Sequence, residues 1–334
     1  MNVRSVFVKR KIIYFLSAFV VFLCVLFLIY NKNQDTTDMK TIKVSEVTHS
    51  IFYAPFYVAI ENGYFEEEGI KIDLMLVSGS DNVAASVLSK DTDVGLAGPE
   101  SAIYVYLGKE KDYLQVFSGL TKRDGQFILS RNNKEFNWND LKGKEILIGR
   151  STGMPGLSFL RALENKGIKQ NEVNINTSIE FAELSGSFIG GDGDYVNLFE
   201  PLASKLEANN NGYVVTSVGA ASDDFPYTAF YARKSYIKNN KELLTKFTNA
   251  IKKGMDYVLK EDSLQVANVI RAQFSDTKVD DLKVMIERYK KADVWLPTPF
   301  VEEKFYNTLV ELLKENNLIK EKVNYKDLVN NLYD

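Results

Sequence analysis

From Thr41 onward the chain alternates short β-branched runs with amphipathic helical runs, and it does so in two successive series. That alternation narrows the fold to layered α/β structure. In the first series Thr41–Val47 reads as a strand. Tyr53–Glu67 reads as a helix with Tyr57, Val58, Ile60, Tyr64 and Phe65 on its apolar face, ended by Gly69 as a left-handed cap. Lys71–Val77 is the next strand, and Asp81 is placed to cap a helix over Asn82–Ser89. Val94–Ala97 is a short buried strand, Ser101–Leu107 a helix, and Leu114–Leu120 and Gln126–Ser130 are strands.

The second series starts at Asn137, with a helical turn at Trp138–Gly143 and a strand over Glu145–Gly149. Helices are expected over Leu157–Lys166, Leu184–Ile189 and Pro201–Ala208, and strands over Asp194–Asn197 and Tyr213–Val218. Pro226–Arg233 alternates and is aromatic, as suits a strand returning to the first series. Helices follow over Lys241–Lys260, Ser263–Ala272, Val279–Ala292, Val301–Asn316 and Tyr325–Leu332. The expected organisation is therefore two α/β lobes joined by two crossing strands, near Gln126–Arg131 and Pro226–Arg233. Lobe 1 takes residues 41–128, lobe 2 takes 129–226, and the return strand and C-terminal helices take 227–334. A cleft between such lobes is a place for a small molecule.

The N-terminus is of another kind. Arg4, Lys9, Arg10 and Lys11 precede Ile12–Tyr30, nineteen residues without a charge. As a helix this run would be about 28 Å long, close to the apolar thickness of a bilayer. The basic flank keeps that end cytoplasmic. Residues 1–31 are thus expected to be a membrane anchor or signal segment, spanning through residues 12–30, with 32–40 as a polar tether and 32–334 outside the cytoplasm. No A-x-A-like cleavage site follows, and Leu23 sits where an acylation signal ahead of Cys24 would have a small residue, so an uncleaved anchor is favoured. Residues 1–30 hold four basic and no acidic groups, leaving 37 basic and 44 acidic groups and a net charge of −7 beyond them. That balance disfavours nucleic acid as a partner.

Catalytic and metal chemistry find few residues. The chain has one histidine, His49, and one cysteine, Cys24. These cannot build a zinc site, and no G-x-S-x-G or G-x-x-x-x-G-K-[ST] motif occurs. Asp192-Gly193-Asp194 lacks the rest of a calcium loop. No cofactor is expected. What remains is a set of polar loops at strand ends: Thr48-His49, Ser78-Gly79-Ser80, Gly98-Pro99-Glu100-Ser101 and Arg150-Ser151-Thr152-Gly153. Free N–H groups at helix starts and small residues there suit a ligand. Phe199-Glu200-Pro201 adds an acid at a helix-starting turn, able to accept from an N–H donor, and Phe52, Tyr53, Tyr195 and Tyr227 could stack on a planar ring.

These residues carry a family resemblance. HSIFYAPFYVAIENGYFEEEGIKIDL and SGSDNVAASVLSKDTDVGLAGPESAIYVY resemble the SsuA/THI5-like (NMT1/THI5-like) family, as do DLKGKEILIGRSTGMPG, GDGDYVNLFEPLASKLE and PYTAFYARKSYI. The resemblance covers residues 41–334. It implies a type II periplasmic-binding-protein-like fold and a non-catalytic solute receptor of an ABC importer for sulfonates or taurine, nitrate or thiamine-pyrimidine precursors. The implied partners are a permease and its ATPase in a bacterial cell membrane. Carried onto this chain, the ligand-facing positions are His49, Tyr53, Gly98, Glu100, Arg150, Ser151, Thr152, Gly153, Glu200 and Tyr227. Glu200 with the aromatics points to a neutral or cationic heteroaromatic, Arg150 with Ser151 and Thr152 to an anion, and both stay open. The alternatives are a pyrimidine-synthesising enzyme of the THI5 type, whose cysteine cluster residues 41–334 lack, and an anchored sensor lobe.

Overall fold

A computed structural model describes residues 39–149 and 153–333. The expected anchor over residues 1–31 and most of the tether lie outside the described residues. Among those described, no helix is long and apolar enough to cross a membrane. Residues 41–334 form one compact unit built on two five-stranded sheets.

The chain enters lobe 1 as β1 (Lys40–Glu46), makes a 3-10 turn at Ile51–Tyr53, and continues through α1 (Ala54–Glu61), α2 (Tyr64–Glu67) and β2 (Ile70–Leu76). The single helix expected over Tyr53–Glu67 is in fact broken, because Gly63 takes φ of +73° between α1 and α2. Next come α3 (Ser80–Ser89), β3 (Val94–Ala97), α4 (Glu100–Leu107) and β4 (Leu114–Thr121). Gly79, not Asp81, is the residue ahead of α3, and Asp81 lies in its first turn where an acid suits the dipole.

The chain then crosses to lobe 2 with β5 (Phe127–Ser130), β6 (Glu145–Leu147), α5 (Met154–Asn165), β7 (Asn174–Asn176), α6 (Leu184–Gly190), β8 (Tyr195–Leu198), α7 (Leu202–Ala208) and β9 (Tyr213–Ser217). It returns as β10 (Thr228–Arg233) and ends in α8 (Lys234–Asn239), α9 (Lys241–Lys260), α10 (Ser263–Ile270), α11 (Val279–Ala292), α12 (Glu303–Glu315) and α13 (Tyr325–Leu328).

The two sheets share one plan. Lobe 1 has the order β2-β1-β3-β10-β4 and lobe 2 has β7-β6-β8-β5-β9. β1 runs parallel to β3, and β6 runs parallel to β7 and β8. In each sheet the fourth strand is the crossing strand, and it is antiparallel to both neighbours. A strand arriving from the other lobe starts at the cleft, so it must run against strands that end there.

One apolar cluster fills lobe 1 and continues onto one face of the lobe 2 sheet through Leu129, Leu147, Val196 and Leu198. A second cluster, around Ile128, Ile146 and Phe159, covers the other face. Between the lobes an aromatic knot forms around Phe52, whose ring lies 5.4–5.6 Å from those of Phe199, Tyr227 and Tyr289. Phe52 and Tyr53, two of the rings offered for stacking on a ligand, are both buried, at 0% and 2% exposure. Burying such rings together gains apolar transfer energy and favourable tilted contacts.

Candidate functional site

Strand ends and helix starts of both lobes converge on a cavity of about 690 Å³. Lobe 1 lines it with Thr48, Tyr53, Ser80, Asp81, Gly98, Glu100 and Tyr104; lobe 2 adds Gly153, Met154, Pro155, Glu180, Phe181 and Phe199; Tyr227 and Thr228 come from the return crossing. Of the positions singled out in the sequence, Tyr53, Gly98, Glu100, Gly153 and Tyr227 meet on this wall. Arg150, Ser151 and Thr152 lie outside the described residues.

Glu100 is the best-defined polar group of the wall. It opens α4 and is 2% exposed. Its own N–H, the N–H of Met154 at the start of α5 and the Ser80 hydroxyl all face its carboxylate, but burial outweighs them and pushes the acid up to about 7. Oε2 has no hydrogen-bond partner among the described residues. A Cβ at position 98 would come within 2.0 Å of Oε2 and 2.6 Å of Met154 Cγ, so only glycine admits this close approach.

The aromatic wall is polar at its edges. Burial raises the Tyr53 phenol, whose hydroxyl faces the Thr228 side chain. Burial and then the charge of Asp124 raise Tyr227. Asp124 lies behind it on the outgoing crossing, fully buried; its Oδ1 accepts from the Gln126 N–H at 2.6 Å. The Tyr227 and Ser158 hydroxyls face its carboxyl without closing a well-formed bond, and burial pushes Asp124 up to about 8.

Two expected site residues are placed elsewhere. His49 does not line the cavity. Its Nδ1 donates to Glu46 Oε1 at 2.7 Å and its Nε2 donates to the Gln273 carbonyl at 2.9 Å, while Tyr57 and Phe274 flank the ring. Acceptors on both sides of the imidazole favour the cation, which alone can donate from both ring nitrogens. The Glu46 bond lifts it above the ordinary 6.5, against burial, which pulls it down. Its contribution to stability is therefore fully present below pH 6.5 and fades as pH rises through the raised value. The ring signals of this single histidine should titrate above 6.5 by NMR; a midpoint at or below 6.5 would contradict the pairing.

Glu200 is likewise committed inside the protein. It is 1% exposed, its carboxylate accepts from Ser204 N–H and Oγ at 2.8 and 2.9 Å, and Arg288 Nη1 donates to it at 2.9 Å. Its backbone is tied too: the Glu200 N–H donates to the Tyr289 hydroxyl at 3.0 Å, and Ser50 Oγ donates to its carbonyl at 2.6 Å. The Phe-Glu-Pro turn thus pins lobe 2 to lobe 1 instead of presenting an acid to a ligand. Sequence reasoning also passed over Tyr104, Met154 and Phe181. The strand-end loops pointed near the first two, while Phe181 belongs to a stretch without periodicity.

The NMT1/THI5-like family model matches residues 51–263. YtlA of Bacillus subtilis (strain 168), a candidate binding protein by its name, is 38% identical over 301 residues, 90% of each chain. The 4-amino-5-hydroxymethyl-2-methylpyrimidine phosphate synthase of Aspergillus parasiticus is 24% identical over 67% of this chain and 68% of its own. The formylaminopyrimidine-binding protein of Halalkalibacterium halodurans is 21% identical over 86% of this chain and 97% of its own. The alkanesulfonate-binding protein SsuA of Xanthomonas axonopodis pv. citri, bound to MOPS, superposes with a TM-score of 0.67 at 14% identity, over 89% of this chain and 100% of that one. The last likeness establishes the fold as that of the periplasmic-type binding proteins.

Proposed function

We propose a function from one premise: the chain belongs to the NMT1/THI5-like family. It is the extracytoplasmic solute-binding component of an ABC importer. It captures a small organic solute between its lobes and delivers it to a permease and ATPase, with residues 12–30 as its membrane anchor. The observation that carries this reading is the cavity of about 690 Å³ built jointly by two lobes and the strands that cross between them. Closure about those crossings would bury a solute without any bond being made or broken.

The solute classes are an aminopyrimidine of the thiamine-precursor kind, a sulfonate such as taurine, or nitrate. The formylaminopyrimidine-binding relative supports the first and the sulfonate-binding neighbour the second. The pyrimidine phosphate synthase relative supports an enzyme only weakly. No cysteine occurs beyond Cys24, and the one histidine is engaged on both nitrogens away from the cavity.

Thermal unfolding of the full-length chain against these compounds tests the reading. A true solute at a hundred times its Kd stabilises by about 2.7 kcal/mol, and one class should do so. No stabilisation by any of them removes these solute classes. Turnover of a bound compound removes the receptor reading.

A further inference from the structure

We propose that Glu100 acts as a built-in anion of the cleft, occupying the position at the start of α5 where a ligand's acidic group would otherwise sit, so that the cleft refuses oxyanions and selects a solute presenting an N–H donor. This rests on the cleft being the solute site. The α5 helix has twelve residues and begins after Gly153, which supplies no side-chain cap. Pro155 has no N–H to offer, so of the first two helical positions only Met154 carries a donor, and Met154 lines the cleft. A helix start of this kind attracts negative charge.

The group that meets it is not a ligand but a side chain of the other lobe. The Glu100 carboxylate faces the N–H of Met154 and its own N–H at the start of α4, so one acid serves a helix start from each lobe. It is wedged over Gly98 against Met154, and only a glycine leaves room for it there. An arriving sulfonate or nitrate would meet a buried carboxylate in place of a free donor. An amine, amidine or ring N–H that reached Glu100, a residue lining the cleft, would find in Oε2 a buried acceptor without a partner among the described residues. Leaving such an acceptor unmatched is costly, and a donor that satisfies it gains selectivity over an isostere that does not.

The test uses the full-length protein with methanesulfonate and acetamidine as probes, at pH 8.5, where Glu100 is ionised although burial pushes it up to about 7, and at constant ionic strength, read as the melting temperature. Wild type should be unmoved by methanesulfonate. In Glu100→Ala the vacated position should admit it, raising the melting temperature by about 3 °C or more near saturation. Acetamidine should stabilise wild type and lose that effect in the variant. Glu100→Ser, whose hydroxyl can still serve its own helix start, carries the same comparison if the alanine variant does not fold. A methanesulfonate response equal in wild type and variant, or absent from both, overturns the proposal. Its outcome is separate from that of the receptor reading, since the variant's gained anion response needs no knowledge of the natural solute.

Discussion

Replacing Arg288 with alanine is expected to cost about 3–5 kcal/mol of stability. Arg288 reaches from α11 to lobe 2, where it donates to Glu200 Oε1 at 2.9 Å and Ser204 Oγ at 2.8 Å and pairs with Glu207. The Glu200 side chain is fully buried. Removing its cation leaves a buried carboxylate with only the two Ser204 donors against it, and losing the opposite charge is what makes breaking such a pair expensive. Urea unfolding of the two proteins measures the loss. Pairing Arg288→Ala with Glu200→Gln should recover part of it, because the uncompensated charge is then gone. A loss below about 1 kcal/mol, the range of exposed ion pairs, would mean that Glu200 is solvated and free to face a ligand after all.

Asp124→Asn is expected to act in the opposite direction, stabilising the protein at alkaline pH. The ordinary value of this carboxyl is 3.8, and burial pushes it up to about 8 in the folded chain. Between those two values the native protein holds a proton that the unfolded chain has released. Stability therefore falls as pH rises through the window and is lowest above pH 8. Asparagine keeps the oxygen that accepts from the Gln126 N–H and presents its amide to the Tyr227 and Ser158 hydroxyls, with no charge to bury. The variant should be more stable than wild type at pH 9, by several kcal/mol, and nearly equal to it at pH 4. Glu100 shifts in the same direction, to about 7, so the variant should retain a shallower slope that ends near there. Equal stability curves from pH 4 to pH 9 would show that Asp124 ionises freely in the folded protein.

How much of this was legible in the sequence depends on the range of the interaction concerned. Lys241–Lys260 and Val279–Ala292 were read to the residue because a long amphipathic helix writes its period into neighbouring positions. The strand-end loops were legible for the same reason: turn chemistry is local. The break at Gly63 was not, since the apolar positions continue in helical register on both sides of it. His49 and Glu200 each have one partner close by, Glu46 and Ser204, but the partner that completes their engagement comes from far along the chain. Gln273 is 224 residues from His49, and Arg288 is 88 residues from Glu200. Nothing near either acceptor or donor announces the partner. Glu100 could be read as a cleft residue from its place after β3, but its approach to Met154 needs both lobes in place.

The position of β10 also dictates the order in which the protein can be built. This strand lies between β3 and β4, pairing Ala229 with Ala97 on one side and with Gly119 on the other. Until residues 228–233 have left the ribosome, β3 and β4 have no common neighbour and both offer an open edge. Every strand of the lobe 2 sheet, by contrast, lies within residues 127–217. Lobe 2 can therefore assemble from a contiguous stretch, while lobe 1 must wait for a closure spanning more than a hundred residues, a slow non-local pairing. The half that is synthesised first is the half that finishes folding last.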